Sequence, residues 1–466
     1  MDRMNLNRPG LFLLALATLQ FIAADDSSPP TGLKPVVELE ENVYQYEPAD
    51  NGAGPLWCNG STCLVVAGAE VFASGLETLP GIKPLNNCRW TLHRRSAKGW
   101  ELIAADENGR TREPAPLASF RDGAIFLSAN PTLAAVNVYS GPARPEILQF
   151  DAAHIENGFQ TILPRWDGEP QFTEHSYRSF VADGANRELL LLQNIGYTHA
   201  EWTFRDSSGT WAAQGKLHWP AADERDPRHP LRLCYPDVAL HNHAVHFCGV
   251  GDIVEPNPDW RAFKKQLTGQ EWDYVFRRLF YCWAPDIRNG KFEQWVELAN
   301  FEKTAGAVSA GDLWVAHDGA AHLVWTQRRI DDRLRQRFFP GEKQRTSIEY
   351  AVVQKGKVIA QRTLATADDG RGSLGRARFH ATPDHRLWVF YYSNQIPGGA
   401  GAENKMIEVF PRADRPALTV PLKHPMSDFF TATTRAGSAP SRTLHLLGQR
   451  VNQPRTISYA RIRLAD

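Results

Sequence analysis

Between Phe172 and Trp219, apolar and polar residues alternate in four short runs, and no helical period fits any of them. Ser176–Ala182 precedes an Asp183-Gly184 turn, Glu188–Asn194 is rich in leucine, Tyr197–Arg205 is aromatic and β-branched, and Trp211–Trp219 follows a Ser-Ser-Gly turn. Each boundary is a tight-turn signal, so the runs read as antiparallel strands joined by hairpins. Four such strands in so short a stretch have the size of one β-propeller blade, a small sheet that packs radially around a channel.

Turn signals of the same kind stand at Asn59-Gly60, Asp122-Gly123, Asp183-Gly184, His241-Asn242, Asp318-Gly319, Asp384-His385 and Ala436-Gly437. Their intervals of roughly 50–80 residues are the self-similarity that marks a repeat architecture. Outer hairpins recur as well: Trp90-Thr-Leu-His runs to Gly99-Trp100, and Trp202-Thr-Phe-Arg runs to Gly209-Thr-Trp211, with Arg278–Trp283 and Asn289–Trp295 as a looser third copy. The fold expected is all-β: a seven-bladed β-propeller of four-stranded antiparallel blades over 34–466. The last blade shows only three strands, Phe429–Thr434, Thr443–Gln449 and Ile457–Leu464. Pro35–Leu39 or Val43–Tyr46 is expected to supply the fourth and close the ring, which removes an open sheet edge.

With strands lettered A to D from the axis outward, the start of each A strand and each B-to-C turn share one rim, where ligands of propellers usually bind. His175 and His199 fall on that rim, with Tyr177 and Arg178 beside the first and Tyr235 after Arg232 in the next repeat. Arg376, Arg378 and His380 are assigned to a further A-strand start. Long B-to-C connections wall the same rim. They are Gly249–Asp273, with a short helix around Trp260–Leu267; Gln327–Ser347, with Arg328, Arg329, Arg333, Arg335 and Arg337; and Ser393–Lys405, with Gly398, Gly399 and Gly401. Imidazoles and phenols supply acid–base groups near neutral pH, aromatic faces stack on sugar rings, and arginine forks bind carboxylate or sulfate. The inventory suits a carbohydrate carrying anionic groups, with Arg178, Tyr177, Arg277, Arg328, Arg376 and His380 as binding candidates.

The N-terminus carries Arg3 and Arg8, an apolar run Leu11–Ala24 and then Asp25-Asp26-Ser27-Ser28-Pro29-Pro30. That is the layout of a signal peptide over 1–24 and a linker over 25–33, which predicts a secreted or periplasmic chain with no other membrane association. The chain balances 52 basic against 52 acidic residues, which argues against nucleic acid, and its 14 Trp, 23 Phe and 12 Tyr can fill a large core. Six cysteines in an exported chain favour disulfides. Cys234 and Cys248 stand symmetrically about His241-Asn242 and are the favoured pair; Cys58 and Cys63 flank Asn59-Gly60, with a link from either to Cys88 as the alternative, and Cys282 is left over. No Cys-x-x-Cys pair is present, which gives a zinc ribbon or redox motif little support; no cofactor is expected, and a structural metal ion stays open. A monomer is expected.

The His-Ser-Tyr-Arg start at 175–178, the Gly-Tyr-Thr-His-Ala-Glu turn at 196–201 and Cys-Tyr-Pro-Asp-Val-Ala-Leu at 234–240 resemble the seven-bladed propeller enzymes that act on uronate-containing polysaccharides. These include ulvan lyases, a glucuronate-linked rhamnosidase group and exported relatives labelled BNR-repeat proteins. The resemblance implies β-elimination, with His175, His199 and Tyr235 matching the catalytic positions. The arginine that neutralises the uronate carboxylate in such lyases has no match, because the chain reads Val250-Gly251-Asp252 there. A glycoside hydrolase stays open as the alternative, sialidase-like or rhamnosidase-like, with Glu174, Glu201, Asp252, Glu255 and Glu403 as candidate acids. So does a non-catalytic sugar-binding propeller. A sialidase is disfavoured because Asp206-Ser-Ser-Gly-Thr-Trp211 misplaces the Asp of the Ser-x-Asp-x-Gly-x-Thr-Trp turn.

Overall fold

The computed structural model describes residues 32–466 apart from 84, 224–225, 370–371, 395–400 and 413–414. The segment read as a signal peptide, most of the expected linker, and Gly398 and Gly399 lie outside the described residues.

Seven four-stranded antiparallel sheets are arranged as blades of a propeller. Their innermost strands are Leu64–Ala67, Leu117–Ser119, Ser179–Asp183, Leu233–His241, Ala305–Val315, Ser373–Ala381 and Met426–Thr431, in blades 1 to 7. Each inner strand touches the next around the ring, and that of blade 7 touches that of blade 1. The closing strand is one continuous run, Lys34–Gln45, which pairs with Thr456–Ala465 from Lys34↔Ala465 to Gln45↔Thr456 and forms the outermost strand of blade 7. The core is divided among the blade seams. Between blades 3 and 4, for example, Val181, Leu190, Trp202 and Phe204 pack against Val238, Leu240, Phe247 and Phe280.

The expected turns at Asp122-Gly123, Asp183-Gly184, Asp318-Gly319, Asp384-His385 and Ala436-Gly437 all lie between the A and B strands of their blades. Asn59-Gly60 does not. The first A-to-B turn is at Gly68-Ala69, between Leu64–Ala67 and Glu70–Thr78. The segment around Asn59-Gly60 instead enters the central channel. There the Asn59 carbonyl accepts from Arg378 at 2.7 Å, the Gly60 carbonyl accepts from Arg435 at 2.6 Å, and the Ser61 hydroxyl accepts from the Phe180 amide at 3.1 Å. A β-carbon on Gly60 would stand 1.9 Å from the Pro236 carbonyl oxygen, so glycine is required by close approach to blade 4. Beneath this plug lies a buried ion network: Arg435 pairs with Asp312 at 2.7 Å and Asp237 at 3.3 Å, and Arg378 lies 3.7 Å from Asp237.

The favoured Cys234–Cys248 disulfide is not formed, and the register explains why. The hairpin turns at Asn242 and His243, both with left-handed φ, one residue later than the His241-Asn242 turn expected from sequence. Cys248 then lies opposite Asp237, and a bulge leaves Cys234 opposite Val250. All six cysteines are buried free thiols, and the Cys58 and Cys63 sulfurs come to 3.5 Å without bonding.

Candidate functional site

Inner strands of several blades break register near the rim that carries the B-to-C connections, with shifts between Cys234 and Asp237, Gly375 and Ala377, and Met426 and Asp428. A bulge re-aims the residue it displaces. Tyr235 (φ 50°) and Arg376 (φ 28°) sit at two of these shifts, and Tyr177 (φ 38°) just before the inner strand of blade 3; all three hold a left-handed backbone, which is strained for such bulky side chains.

The axial plug provides the floor. Trp57 stacks on Tyr177 with ring centroids 5.1 Å apart and also packs against His175 at 5.5 Å and Tyr235 at 5.6 Å. Tyr177 bridges the other two, 4.4 Å from His175 and 5.1 Å from Tyr235. Behind His175 lies Glu113, a buried residue in the link between blades 1 and 2. Its carboxylate accepts from His175 Nδ1 at 3.2 Å, from the Ser176 amide at 3.0 Å and from the Ser176 hydroxyl. Burial pushes the Glu113 carboxyl up, but the hydrogen bond and charge of His175, the nearby Arg178 and the Ser176 hydroxyl outweigh it and hold the group below its ordinary value. An ionised carboxylate only accepts, so His175 Nδ1 carries a proton, and in the neutral imidazole Nε2 is the nitrogen left to accept one. The phenols of Tyr177 and Tyr235 are pushed well up by burial, with neighbouring Cys234 adding to it, and both remain protonated donors.

A cavity of about 490 Å³ opens beside Tyr235, lined by Asn59, Phe276, Ser309, Gln327 and Arg328 among others. That volume lies within the usual range of ligand sites. Arg328 is half-exposed and only loosely paired with Asp332 at 3.7 Å, so its charge is available to the cavity.

His175, Tyr177 and Tyr235 therefore come together, and Arg328 lines the same cavity as Tyr235. His199 lies on the same rim, since the Asn194 amide bonds the Ser176 carbonyl and Ile195 pairs with His199, but its side chain joins another group. It bonds Glu201 at 3.1 Å and Thr198 at 2.7 Å and lies 5.7 Å from the His218 ring. Arg178 is buried beneath the site and donates to the Pro114 carbonyl at 2.6 Å. Arg277 is buried too, forked onto Glu255 at 2.6 and 2.9 Å. Glu255 also holds Lys264 at 2.7 Å, and Lys264 reaches Asp273 at 2.8 Å and Asp331 at 3.2 Å. With Arg333 on Asp273 and Asp331, this network clamps the helix Pro258–Thr268 to the helix Asp332–Phe338, so Arg277 and most of the arginine run build the rim wall. Arg376 is paired with Asp428 at 2.5 Å.

His380 departs from its expected place. Its strand begins at Ser373, and seven extended residues carry it roughly 20 Å along the axis. It lines a different cavity among the A-to-B turns, with Gly68, Arg121 and Ser438, and burial pushes its imidazole down to about 4.

Two participants were not singled out from the sequence. Glu113 stands 62 residues before His175 in an unpatterned Thr-Arg-Glu-Pro-Ala-Pro link. Trp57 was hidden by the hairpin reading of Asn59-Gly60. The one local signal is that Glu113 immediately precedes Pro114-Ala115-Pro116, the run that leads into the inner strand Leu117–Ser119.

Among the described residues no group of three or more metal-ligating side chains is assembled. No protein-family model matches the chain, and no curated protein does. Solved structures do match in fold. A Penicillium chrysogenum alpha-L-arabinanase complexed with arabinobiose is 9% identical with a TM-score of 0.42, covering 92% of this chain and 98% of that one. A Synechocystis apocarotenoid oxygenase is 11% identical with a TM-score of 0.45, covering 94% and 95%. An ulvan lyase of a polysaccharide lyase family, bound to a GlcA(1-4)Rha3S repeat, is 8% identical with a TM-score of 0.40, covering 72% and 77%. The differing activities of these proteins mark the likeness as one of fold alone.

Proposed function

We propose that the chain is an exported enzyme that cleaves a uronate-containing polysaccharide by β-elimination at the His175 centre. The observation that carries the reading is the buried Glu113 carboxylate on His175 Nδ1, which fixes the tautomer and turns Nε2 outward among Trp57, Tyr177 and Tyr235. His175 Nε2 takes the proton from C5 of the uronate. The electron pair left behind forms the C4–C5 double bond as the C4–O bond breaks, and the Tyr235 phenol gives its proton to the departing oxygen. Arg328, in the cavity with Tyr235, meets the uronate carboxylate and stabilises the negative charge that grows on it. No water is consumed, and exchange with solvent returns the proton from His175 to Tyr235.

The hydrolase alternative needs two carboxyl groups facing one bond. Each candidate acid is already engaged: Glu174 with Ser140 and Gly141, Glu201 with His199, Asp252 with Arg232, Glu255 with Arg277 and Lys264, and Glu403 with Lys405. Elimination therefore fits the side chains better than hydrolysis. Incubation with uronate polysaccharides tests the choice, because elimination creates an ultraviolet-absorbing unsaturated uronate, whereas hydrolysis releases reducing ends without that absorbance.

A further inference from the structure

Next to Tyr177, whose ring lies 5.3 Å from the Arg232 guanidinium, the rim carries a second opening of about 600 Å³ that the reaction at His175 does not use, lined by Tyr197, Arg232, Asp252, Trp272 and Tyr274 among others. Trp272, Tyr197 and Tyr274 are 67%, 52% and 39% exposed, so the protein keeps three large aromatic faces in solvent around one groove. They come from two connections, the short turn after Glu188–Ile195 and the long loop after Ala244–Gly251, and the Tyr197 and Tyr274 hydroxyls bond each other at 3.0 Å. Arg232 lies at the base, 4.0 Å from the Tyr197 ring centroid and 5.7 Å from that of Tyr274.

The polar groups at the base are incompletely satisfied. Arg232 and Asp252, 7% and 2% exposed, are joined through one guanidinium arm and one carboxylate oxygen. Arg232 Nε and Asp252 Oδ1 find no hydrogen-bond partner among the described residues. Buried polar atoms are rarely left so, because each costs free energy until a partner arrives. Exposed aromatic faces over a buried polar pair suit a sugar ring, which is apolar on its face and polar at its edge. Asp252 Oδ2 also accepts from the Tyr177 hydroxyl at 3.4 Å, and Tyr177 packs on His175, so the groove adjoins the reactive centre.

We propose that this groove is a sugar subsite, where a ring of the polysaccharide next to the reacting one stacks on Trp272 and Tyr197 above the Arg232–Asp252 pair. The substrate class rests on the proposed function; the groove itself rests on its own geometry. The exposed rings read the sugar face here, while the charge of the substrate is read by Arg328 at the neighbouring cavity.

The test compares wild type with Trp272→Ala, the most exposed of the three rings, and Tyr197→Ala, with the melting temperature of each measured alongside. Retardation in native gels containing ulvan, polygalacturonate or neutral arabinan gives binding, and ultraviolet absorbance gives cleavage. The expected result is an apparent Kd and KM raised on the order of tenfold by Trp272→Ala, the worth of one stacked ring, with kcat unchanged. If wild type cleaves a uronate polysaccharide and both variants match it in Kd and KM, the subsite is overturned while the lyase reading stands. If Trp272→Ala abolishes retardation by a polysaccharide that is never cleaved, the subsite stands and the lyase reading falls. Absence of retardation by any of the three polysaccharides overturns the subsite as well.

Discussion

Replacing Glu113 by glutamine separates two roles that one carboxylate performs. It accepts from His175 Nδ1 and from both the amide and the hydroxyl of Ser176, and it is a nearby negative charge for Arg178, which is only 4% exposed. Arg178 has two further nitrogens with no hydrogen-bond partner among the described residues, so its charge is poorly compensated already. Removing one member of a buried ionic cluster costs about 3–5 kcal/mol, because the partner is left charged and desolvated. Glu113→Gln is therefore expected to lower the denaturation free energy by about that amount, and Arg178→Met in the same chain to restore most of it. Turnover behaves differently. The amide does not enforce the Nδ1–H tautomer, so activity falls by up to about 10⁴-fold and stays low in the double variant. The pH dependence has a definite sign. A carboxyl held below its ordinary value stabilises the fold above about pH 4.5 and loses that contribution as pH falls through the folded value, so the variant flattens the acid limb of the stability curve. Denaturant titration of the three proteins across pH, beside their cleavage rates, makes the comparison. Wild-type stability and wild-type turnover in Glu113→Gln would refute the reasoning, and recovery of activity together with stability in the double variant would reduce Glu113 to a packing role.

Two further changes probe the frame that holds the site. His322 is buried against the Tyr350 hydroxyl at 2.6 Å, and burial pushes it down to about 4. It stays neutral in the fold while the unfolded chain charges below about 6.5, which removes about 2 kcal/mol at pH 5; His322→Leu should flatten the stability profile between those values by one proton, and an unchanged slope in denaturant titrations would contradict this. Gly60→Ala forces a β-carbon against the Pro236 carbonyl and displaces the plug, with an expected cost of about 1–3 kcal/mol and a loss of activity as Trp57 moves; a variant that melts and turns over like wild type would contradict it.

Blade number, strand order and the closing N-terminal strand were legible because they depend on local signals: period-two runs, turn residues and an unfilled last sheet. The helix at Pro258–Thr268 was legible for the same reason, with Asn257 capping it and a proline at its first turn. What local patterning left out was decided by contacts distant in sequence. Asn59-Gly60 carries the same turn chemistry as a hairpin, and only the Pro236 and Arg378 contacts make it a channel plug. The Cys234–Cys248 expectation failed by the placement of one turn, since a shift of register moves every partner. Arg277 and Arg333 read as positive charges at the rim, yet Glu255 neutralises the first, and Asp273 and the adjacent Asp331 neutralise the second. His246 with Tyr281, His322 with Tyr350, and His445 with Tyr459 form the same B-to-C strand pair in three blades, a repeat visible only once the register is known.

The central claim is that His175 and Tyr235 act as base and acid in an elimination on a uronate polysaccharide. The direct measurement is ultraviolet absorbance during incubation of the purified protein with ulvan and related uronate polysaccharides, for wild type, His175→Ala and Tyr235→Phe. The account predicts a steady rise for wild type and a rate lowered by roughly 10²–10⁴-fold in either variant with the fold retained, the usual worth of a positioned acid or base. No rise with wild type on any uronate polysaccharide, or a rise that both variants retain, would contradict it.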